Sequence, residues 1–592
     1  MHKDHSFGSS CLGKHPLFVT MDTERTIHME KFSQIKYERP DLEKEADLLR
    51  EKIEEIRGAK DYPAFRKAVL DTDALSVHTS TMYTVAHVRN TIDMNDGFYE
   101  KEIEYFNREM PSFSLVGKEA AQAFLSSPFR EDFEKEFGKQ YSLMMDADEK
   151  AQSEEIISER IRESDLTLEY SKLTAQASTQ FRGESCNFYG LLKYMQSTDR
   201  QTRKEAFEAW ADLYEKIAPR LDEIYTELVG LRVTEAEKLG MKDYISLAYL
   251  NKNRFEWGPE EAARFREAVR KYYVPLVEKI RAKQAERLGI DKMRYYDEEL
   301  LFPEGNAVPV GGKDYLVGEA QKMYRAMSAE SGEFFDFMKE HELFDLETKP
   351  GKRVGGYCTM MTEFKAPFIF SNFNGTSADA DVLTHEAGHA FQSYLASRIQ
   401  PLSDYIWSTS EVAEIHSMSM EHFAYPYMGG FFGENAEKYR RAHLAGAVAT
   451  IPYLVCVDEF QHGVFNDPSM SASGRRALWH SIEEKYMPWR DYGDNDFMNG
   501  GAFWMQKQHI FLYPFYYIDY ALAQTCAFQY YLKDLEDHEK AWNGYVNLCR
   551  QGGSKGYFEL LDESGLKSPF EEETVKYVCD KIEAILKDQD MI

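Results

Sequence analysis

Two histidines four residues apart, His385 and His389, are the side chains whose type and spacing point most directly to chemistry. On an α-helix this spacing places both imidazoles on one face, where they can bind one Zn²⁺ ion. Glu386 follows the first histidine, so its carboxylate can act on a water molecule at the metal. Chance produces a His-Glu-x-x-His pattern in roughly a few per cent of chains with this histidine content. The surrounding sequence must therefore distinguish a metal site from a coincidence.

The residues around the two histidines predict a buried helix. A turn-rich segment, residues 374–379, comes first and offers Ser377 or Asp379 as the helix N-cap. No proline interrupts residues 380–398, and the neighbours of the histidines are small and apolar. Gly388 costs about 1 kcal/mol relative to alanine inside a helix, which makes sense if another backbone passes close to it. This context favours a metal site over a coincidence.

Glu414 is the candidate for the third ligand that a catalytic zinc site usually has. It lies far enough beyond His389 for one helix to end and a second to return. Ser408 and Glu411 have capping-box spacing, which predicts the start of that second helix. Glu411 and Glu421 share a side of the helix with Glu414, and either could orient a histidine through the ring nitrogen opposite the metal. Two histidines remain as competing ligands, His416 and His422.

At these residues the sequence resembles the thimet oligopeptidase and oligoendopeptidase F family of zinc metallopeptidases. The histidine motif followed by Glu414 carries the resemblance. The segment Ile415–Met418 differs from the Pro-Ser-Gln of thimet-type members, which favours the bacterial oligoendopeptidase F or Pz-peptidase-like branch. Four further segments resemble the family, residues 32–41, 351–358, 368–376 and 509–520.

The resemblance implies a mainly α fold with a zincin-like catalytic core. Two helical lobes would flank a deep substrate channel, and a small β-sheet would lie beside the zinc helix. One Zn²⁺ per chain would be bound by His385, His389 and Glu414. Because the family's channel excludes folded proteins, the implied substrates are oligopeptides.

A group of tyrosines near the C-terminus has two interpretations, a buried stripe on a helix or part of a functional site. Tyr513, Tyr517 and Tyr520 follow one another at steps of four and three residues, which is also the spacing of a buried helix stripe. The preceding His509 and the resemblance favour a site. The resemblance makes Tyr520 the oxyanion donor, places His509 in the catalytic centre in contact with substrate, and gives the other two tyrosines contacts with substrate. Aligning the family pattern requires a one-residue gap before Tyr513.

Strand signals concentrate in residues 352–373. The segment 364–373 is aromatic and β-prone, and Pro367 predicts a strand at a sheet edge or a bulge. An edge strand beside the zinc helix can pair with an extended peptide through main-chain hydrogen bonds. The alternative is a structural hairpin that covers the helix. We expect Phe370 on this strand and Gly375 after it to contact substrate.

Composition and charge are typical of a large cytoplasmic enzyme. The formal charge of −29 argues against nucleic acid and against anionic membranes as partners. The seven cysteines are scattered without Cys-x-x-Cys spacing, which predicts a reducing compartment. No apolar run approaches the ~20 residues of a membrane span, and the N-terminal residues lack the apolar core of a signal peptide.

The length of 592 residues predicts more than one hydrophobic core. We expect an N-terminal extension at residues 1–28, an N-terminal helical lobe at 29–189 and a catalytic lobe at 190–592. Residues 180–189 are the best candidate for the junction between the two lobes. Apolar spacing predicts helices at 42–57, 153–175, 222–239, 259–288 and 436–449.

Three functions are compatible with these residues. The leading hypothesis is a zinc endopeptidase that cleaves short oligopeptides by zinc-activated water, with Glu386 as general base. The second is a zinc exopeptidase of related architecture, although the sequence lacks the Gly-x-Met-Glu-Asn motif of such aminopeptidases. The third is a non-catalytic peptide-binding protein with structural zinc, which would require four protein ligands where the sequence offers three.

Overall fold

Helices dominate the chain. The structure is a computed structural model that describes residues 29–349, 351–353 and 355–592, and the expected N-terminal extension lies outside these residues. The mainly α prediction is confirmed. The helices up to residue 340 are α1 (Leu42–Gly58), α2 (Tyr62–Ile92), α3 (Gly97–Leu125), α4 (Arg130–Phe137), α5 (Gln140–Ala151), α6 (Ile157–Gln176), α7 (Phe188–Tyr194), α8 (Arg200–Lys238), α9 (Tyr244–Asn251), α10 (Pro259–Ala268), α11 (Val274–Leu288), α12 (Lys313–Met327) and α13 (Ala329–Glu340).

The strands form a two-stranded hairpin and a three-stranded sheet, and a second series of helices follows the sheet. The strands are β1 (Thr179–Phe181), β2 (Glu184–Cys186), β3 (Phe344–Glu347), β4 (Tyr357–Met361) and β5 (Ala366–Phe373). The helices after them are α14 (Ala378–Ile399), α15 (Ser410–Phe423), α16 (Met428–Phe432), α17 (Ala436–Asn466), α18 (Ala472–Tyr486), α19 (Gln508–Leu512), α20 (Tyr517–Glu536), α21 (His538–Gln551), α22 (Tyr557–Glu563) and α23 (Glu572–Asp588).

Helices form at each segment where apolar spacing predicts them, with two differences of extent. The segment 222–239 is only the end of α8, and α17 continues through Pro452. Residues 259–288 form α10 and α11 joined by a π-helical turn at Val269–Tyr273. Pro275 follows this turn, and its missing N–H and its ring disturb regular α-helical bonding. Of the helices described, none is long and apolar enough to cross a membrane.

Helices α1 to α5 have a hydrophobic core of their own. Phe65 and Phe124 stack within it at a ring distance of 5.7 Å. Tyr405, from the connection between α14 and α15, enters this core, and its hydroxyl accepts a hydrogen bond of 3.0 Å from the main-chain N–H of Tyr141. The N-terminal helices thus dock on the connection between two helices of the later series. The lobe boundary at residue 189 stays a prediction.

The sequence prediction of an edge strand at 364–373 is wrong, because β5 is the central strand of its sheet. It pairs in parallel with β3 and antiparallel with β4. Pro367 pairs with Met360 of β4, whereas pairing with β3 begins only at Ile369. The proline nitrogen therefore faces the β3 side of the strand at a position that β3 does not reach. Proline lacks an N–H group, but no hydrogen bond between strands is lost there.

Phe370 lies in the interior of this sheet. Its main chain is paired with Asp345 on one side and with Tyr357 on the other. Its side chain is fully buried and stacks on the Tyr357 ring at 4.8 Å. Neither its backbone nor its ring is free for a peptide, which corrects the expectation that Phe370 contacts substrate. The edges of the sheet are β3 and β4.

Candidate metal and catalytic site

Helix α14 carries both histidines of the motif, as the sequence predicts. Ser377 occupies the N-cap position but makes no side-chain capping bond. Asp379 accepts hydrogen bonds from the main-chain N–H groups of Asn374 and Gly375, each at 2.8 Å. The aspartate therefore fixes the loop between β5 and the helix instead of capping the helix. Gly375, at a φ of 85°, is exposed in this loop, and its contact with substrate stays a prediction.

Helix α15 crosses α14 at Gly388, which confirms the close approach expected from the glycine. A Cβ added there would lie 2.7 Å from the carbonyl oxygen of His416 and 2.7 Å from the Cα of Ser417. Carbon atoms in contact are ordinarily about 3.5–4.0 Å apart. Only glycine lets the two backbones come this close, and this spacing brings side chains of both helices to one point.

The start of α15 differs from the sequence prediction. The helix begins at Ser410 with Thr409 in the N-cap position, and neither Ser408 nor Glu411 forms a capping box. Instead, the Ser410 hydroxyl donates a hydrogen bond of 2.6 Å to the carboxylate of Asp519 on α20. This bond attaches the start of α15 to a residue distant in sequence, and nothing within the α15 segment could have indicated it.

His385, His389 and Glu414 converge on one point. Glu414 Oε2 lies 3.3 Å from His385 Nε2 and 3.4 Å from His389 Nε2. One ligand atom from each residue lies within 4.8 Å of the others. Two ligands about 2.1 Å from a tetrahedral zinc ion lie about 3.4 Å apart, so the donor set fits such an ion. The competing histidines, His416 and His422, are buried outside this cluster.

Glu421 contacts the ring nitrogen of His385 that does not face the ligand cluster. Its carboxylate lies 2.6 Å from Nδ1 of His385 and 2.8 Å from Nε2 of His443. Burial opposes ionisation of Glu421, but its hydrogen bonds with the two imidazoles outweigh burial and lower its pKa to about 2. The carboxylate thus stays charged and holds Nε2 of His385 toward Glu414. This is the orienting contact that the sequence suggested for either Glu411 or Glu421.

Glu411 does not orient a histidine. Its Oε1 accepts a hydrogen bond of 3.1 Å from Trp257 Nε1. Burial, together with the charge of Asp519, raises its pKa to about 7. Nδ1 of His389, the nitrogen that Glu411 could have held, has no hydrogen-bond partner among the described residues. The sequence pattern correctly predicted that this helix is largely buried around Glu411. It could not show which residue of another helix or loop Glu411 contacts.

Glu386 lies beside the ligand cluster without joining it, and its carboxylate approaches Gly356 just before strand β4. A Cβ on Gly356 would lie 3.5 Å from Glu386 Oε1, so the glycine leaves room beside the carboxylate. Only 8% of Glu386 is exposed, and burial raises its pKa above the usual value even though both histidines lower it. A carboxylate with a raised pKa beside a metal site is suited to accept a proton and to return it.

The histidine and tyrosine segment forms one aromatic group at α19 and the start of α20. The His509 ring lies 4.8 Å from the Tyr517 ring and 6.1 Å from the Tyr520 ring. Burial lowers the pKa of His509 to about 3, so its imidazole is neutral. Burial and the charge of Glu414 raise the pKa of Tyr520 well above its usual value, which keeps the hydroxyl protonated. Tyr513 lies at the rim, 47% exposed.

Sequence reasoning missed Tyr516 and His443. The Tyr516 hydroxyl donates a hydrogen bond of 2.7 Å to Glu414 Oε1, the oxygen that does not face the histidines. Tyr516 stands four residues before Tyr520, so helical spacing alone could have singled it out. His443, the partner of Glu421, lies on α17, and no local pattern connects it with α15.

Models of two peptidase domains match the chain. The Peptidase M3 N-terminal domain matches residues 32–152, and Peptidase family M3 matches residues 193–301 and 332–578. Oligopeptidase PepF of Bacillus subtilis (strain 168) is 22% identical over 569 residues, which cover 88% of this chain and 80% of that protein. The second domain match contains every proposed ligand.

Solved structures extend the similarity to nearly the whole fold. The structure of PZ peptidase A with inhibitor 2 is 43% identical with a TM-score of 0.93 and covers 95% of this chain and 100% of that chain. A Bacillus anthracis (strain Ames) protein assigned as an oligoendopeptidase F is 40% identical with a TM-score of 0.87. It covers 94% of this chain and 98% of that chain.

Proposed function

The chain belongs to peptidase family M3 and is a metalloendopeptidase, and from this premise we propose that it cleaves internal bonds of short oligopeptides with one zinc ion. The family resemblance drawn from the sequence is confirmed. The observation that carries the proposal is the convergence of His385, His389 and Glu414 beside the buried carboxylate of Glu386. A purely structural zinc site would have four protein ligands and no such carboxylate.

In this proposal His385 and His389 hold the metal through Nε2, and Glu414 holds it through Oε2. Glu421 fixes the ring of the first histidine, and Tyr516 fixes the carboxylate of the third ligand. When bound, zinc supplies a Lewis acid that polarises the peptide carbonyl and makes water a stronger nucleophile at neutral pH. The surrounding hydrogen bonds keep the three ligand atoms in place before the ion arrives.

Glu386 is the proposed general base. It takes a proton from the attacking water and then gives that proton to the amine that leaves. Its buried position supports this role, because burial raises its pKa toward the working pH and so makes both transfers accessible. Gly356, which has no side chain, lies next to the carboxylate, where a Cβ would be 3.5 Å from Oε1.

Tyr520 is the proposed donor to the oxyanion that forms when water adds to the carbonyl. Its protonated hydroxyl, near Glu414 and Glu386, supports this role. His509 is neutral and packs beside Tyr517, so it can contact the peptide without adding charge. Tyr517 and Tyr513 are proposed to contact substrate further from the metal. We propose the cytoplasm as the location, because the six cysteines of the described chain are unpaired.

A series of peptides of increasing length, blocked at both termini, tests the proposal. The zinc-loaded enzyme should cleave the short blocked peptides internally, whereas an exopeptidase would require a free terminus. Glu386→Gln should bind zinc with one ion per chain and lose at least about 10²-fold in kcat, the scale of a missing general base. Equal cleavage by the variant, cleavage only of unblocked peptides, or ready digestion of a folded protein would contradict the proposal.

A further inference from the structure

A cavity of about 400 Å³ opens beside the metal ligands. Tyr517 and Tyr520 form one part of its lining, and Glu421 and His443 form another. The cavity therefore adjoins the proposed catalytic centre through Tyr520 and Glu421. A peptide whose scissile bond lies at the metal can extend a neighbouring side chain into it. Its volume falls in the range of pockets that enclose a small ligand.

The lining combines apolar and polar groups in a way that suits a long amphipathic side chain. Leu301, Met418 and Leu454 supply apolar surface, and Gln196 and Glu299 supply polar groups. Lysine and arginine bury an aliphatic stem against apolar surface and keep a charged head at a polar site. The composition of the cavity thus matches a side chain with both parts.

Glu299 is the lining carboxylate that no described side chain contacts directly. Asp381 accepts a hydrogen bond from Tyr439, and Glu421 is held by two imidazoles. The Glu299 side chain has neither a hydrogen bond nor an ion pair among the described residues, although its neighbour Glu298 pairs with Arg281 and Arg490. Glu299 is exposed where it lines the cavity, so its carboxylate can contact a cation there directly, and the attraction between opposite charges favours that contact.

Gln524 supplies a second unused polar group in the same cavity. The residue is 5% exposed, and one atom of its amide lies 3.1 Å from Nε2 of His422. The other amide atom has no partner within the described chain. A ligand or a water molecule in the cavity can donate a hydrogen bond to the amide oxygen. Gln524 therefore offers the cavity a polar group in addition to Glu299.

We propose that this cavity is a specificity pocket in which Glu299 binds a cationic nitrogen of the peptide substrate. The nitrogen belongs to a lysine or arginine side chain beside the scissile bond, or to the free N-terminal amine of the peptide. The pocket rests on the proposed endopeptidase function, whose site it adjoins. It gives that enzyme a preference for cationic peptides that its metal ligands do not provide.

A lysine scan of one cleavable peptide tests the pocket. Lysine is placed at each position in turn and compared with norleucine, which has a similar stem and no charge. The ratio of kcat/KM between the two peptides is measured within each enzyme variant, so any loss of folded enzyme cancels. N-terminal acetylation of each peptide separates the side-chain source of the cation from the terminal source.

At one position, or at the free N-terminus, the wild type should favour the cationic peptide by about tenfold. Glu299→Gln should bring this ratio near one, and Glu299→Lys should instead favour glutamate over glutamine at the same position. Glu304→Gln is the matched control, because Glu304 is an exposed acid paired with Lys438 outside the cavity, and it should keep the wild-type ratio.

A wild-type ratio near one at every position, with no effect of acetylation, would overturn the pocket. So would a preference that persists in Glu299→Gln. Either result leaves internal cleavage by the wild type intact and so does not touch the proposed function. Failure of the wild type to cleave any blocked peptide would instead refute the endopeptidase itself.

Discussion

Replacing Gly388 with alanine should separate the two helices that carry the metal ligands. The added Cβ would approach the backbone of α15 to 2.7 Å, about 1 Å closer than carbon atoms ordinarily pack. The obstacle is main chain at His416 and Ser417, so no flexible side chain can move aside. The helices must therefore shift by on the order of 1 Å, whereas ligand distances at a metal site tolerate about 0.2 Å.

Two terms set the change in stability of this variant. Alanine gains about 1 kcal/mol over glycine in a helix interior, and overpacking of a tight contact costs about 1–3 kcal/mol. The net free energy of unfolding should therefore fall by about 0–2 kcal/mol. Zinc affinity should fall at least about tenfold, because Glu414 on α15 moves relative to His385 and His389 on α14. Stability is measured by denaturant unfolding of the metal-free protein, and affinity by competition with a zinc chelator.

Gly230→Ala is the matched control. Gly230 lies inside α8 with no atom within 4 Å of the position that a Cβ would take. This variant should gain up to about 1 kcal/mol from helix propensity alone and bind zinc like the wild type. If Gly388→Ala gained stability as the control does and kept wild-type zinc affinity, the close crossing of α14 and α15 would not position the ligands.

Three further predictions concern two tyrosines and a buried glutamate. Tyr520→Phe should lower kcat by about 10²–10³-fold with zinc affinity unchanged, as expected of an oxyanion donor. Tyr516→Phe should instead weaken zinc binding by about 10–100-fold, because it removes the hydrogen bond that orients the Glu414 carboxylate. Measuring kcat and zinc affinity for both variants separates the two roles. Glu411 has a pKa of about 7 in the fold against about 4.3 when exposed, so its ionisation lowers stability as the pH rises through this window. Glu411→Gln should therefore match the wild type in unfolding free energy near pH 4 and exceed it above pH 7 by on the order of 1–3 kcal/mol; a constant difference across this range would contradict the assignment.

Local patterns predicted the parts of the site that one helix determines. The spacing of His385 and His389 follows from helix geometry, and the glycine between them predicted the close approach of another backbone, which is that of α15. Glu414 could be chosen because buried carboxylates need a partner. Its contacts with the two histidines require the relative position of α14 and α15, which the sequence of neither helix contains.

The errors have the same physical origin. The capping box at Ser408 fails because the helix begins at Ser410, whose hydroxyl bonds to Asp519, a residue distant in sequence. The edge strand fails because Pro367 excludes a partner only at its own nitrogen, and β3 begins just beyond it. A local sequence pattern shows which hydrogen-bonding groups a residue has. Which partner each group meets depends on the tertiary fold. The lobe boundary and the substrate contacts stay predictions for the same reason.

The charges around the ligand cluster explain why so many of its partners come from distant helices. Glu386 and Glu414 are buried, the Glu421 side chain is only 12% exposed, and the mutual repulsion of these three carboxylates opposes folding. Burial opposes protonation of His385, but its hydrogen bonds to Glu414 and Glu421 raise its pKa well above the usual value, so the imidazole offsets part of this charge. A divalent cation bound there offsets more of it and frees the imidazole to act as a ligand. The contacts of His443 and Tyr516 hold the remaining carboxylate oxygens, so that the cluster keeps its shape whether a proton or a metal ion balances it.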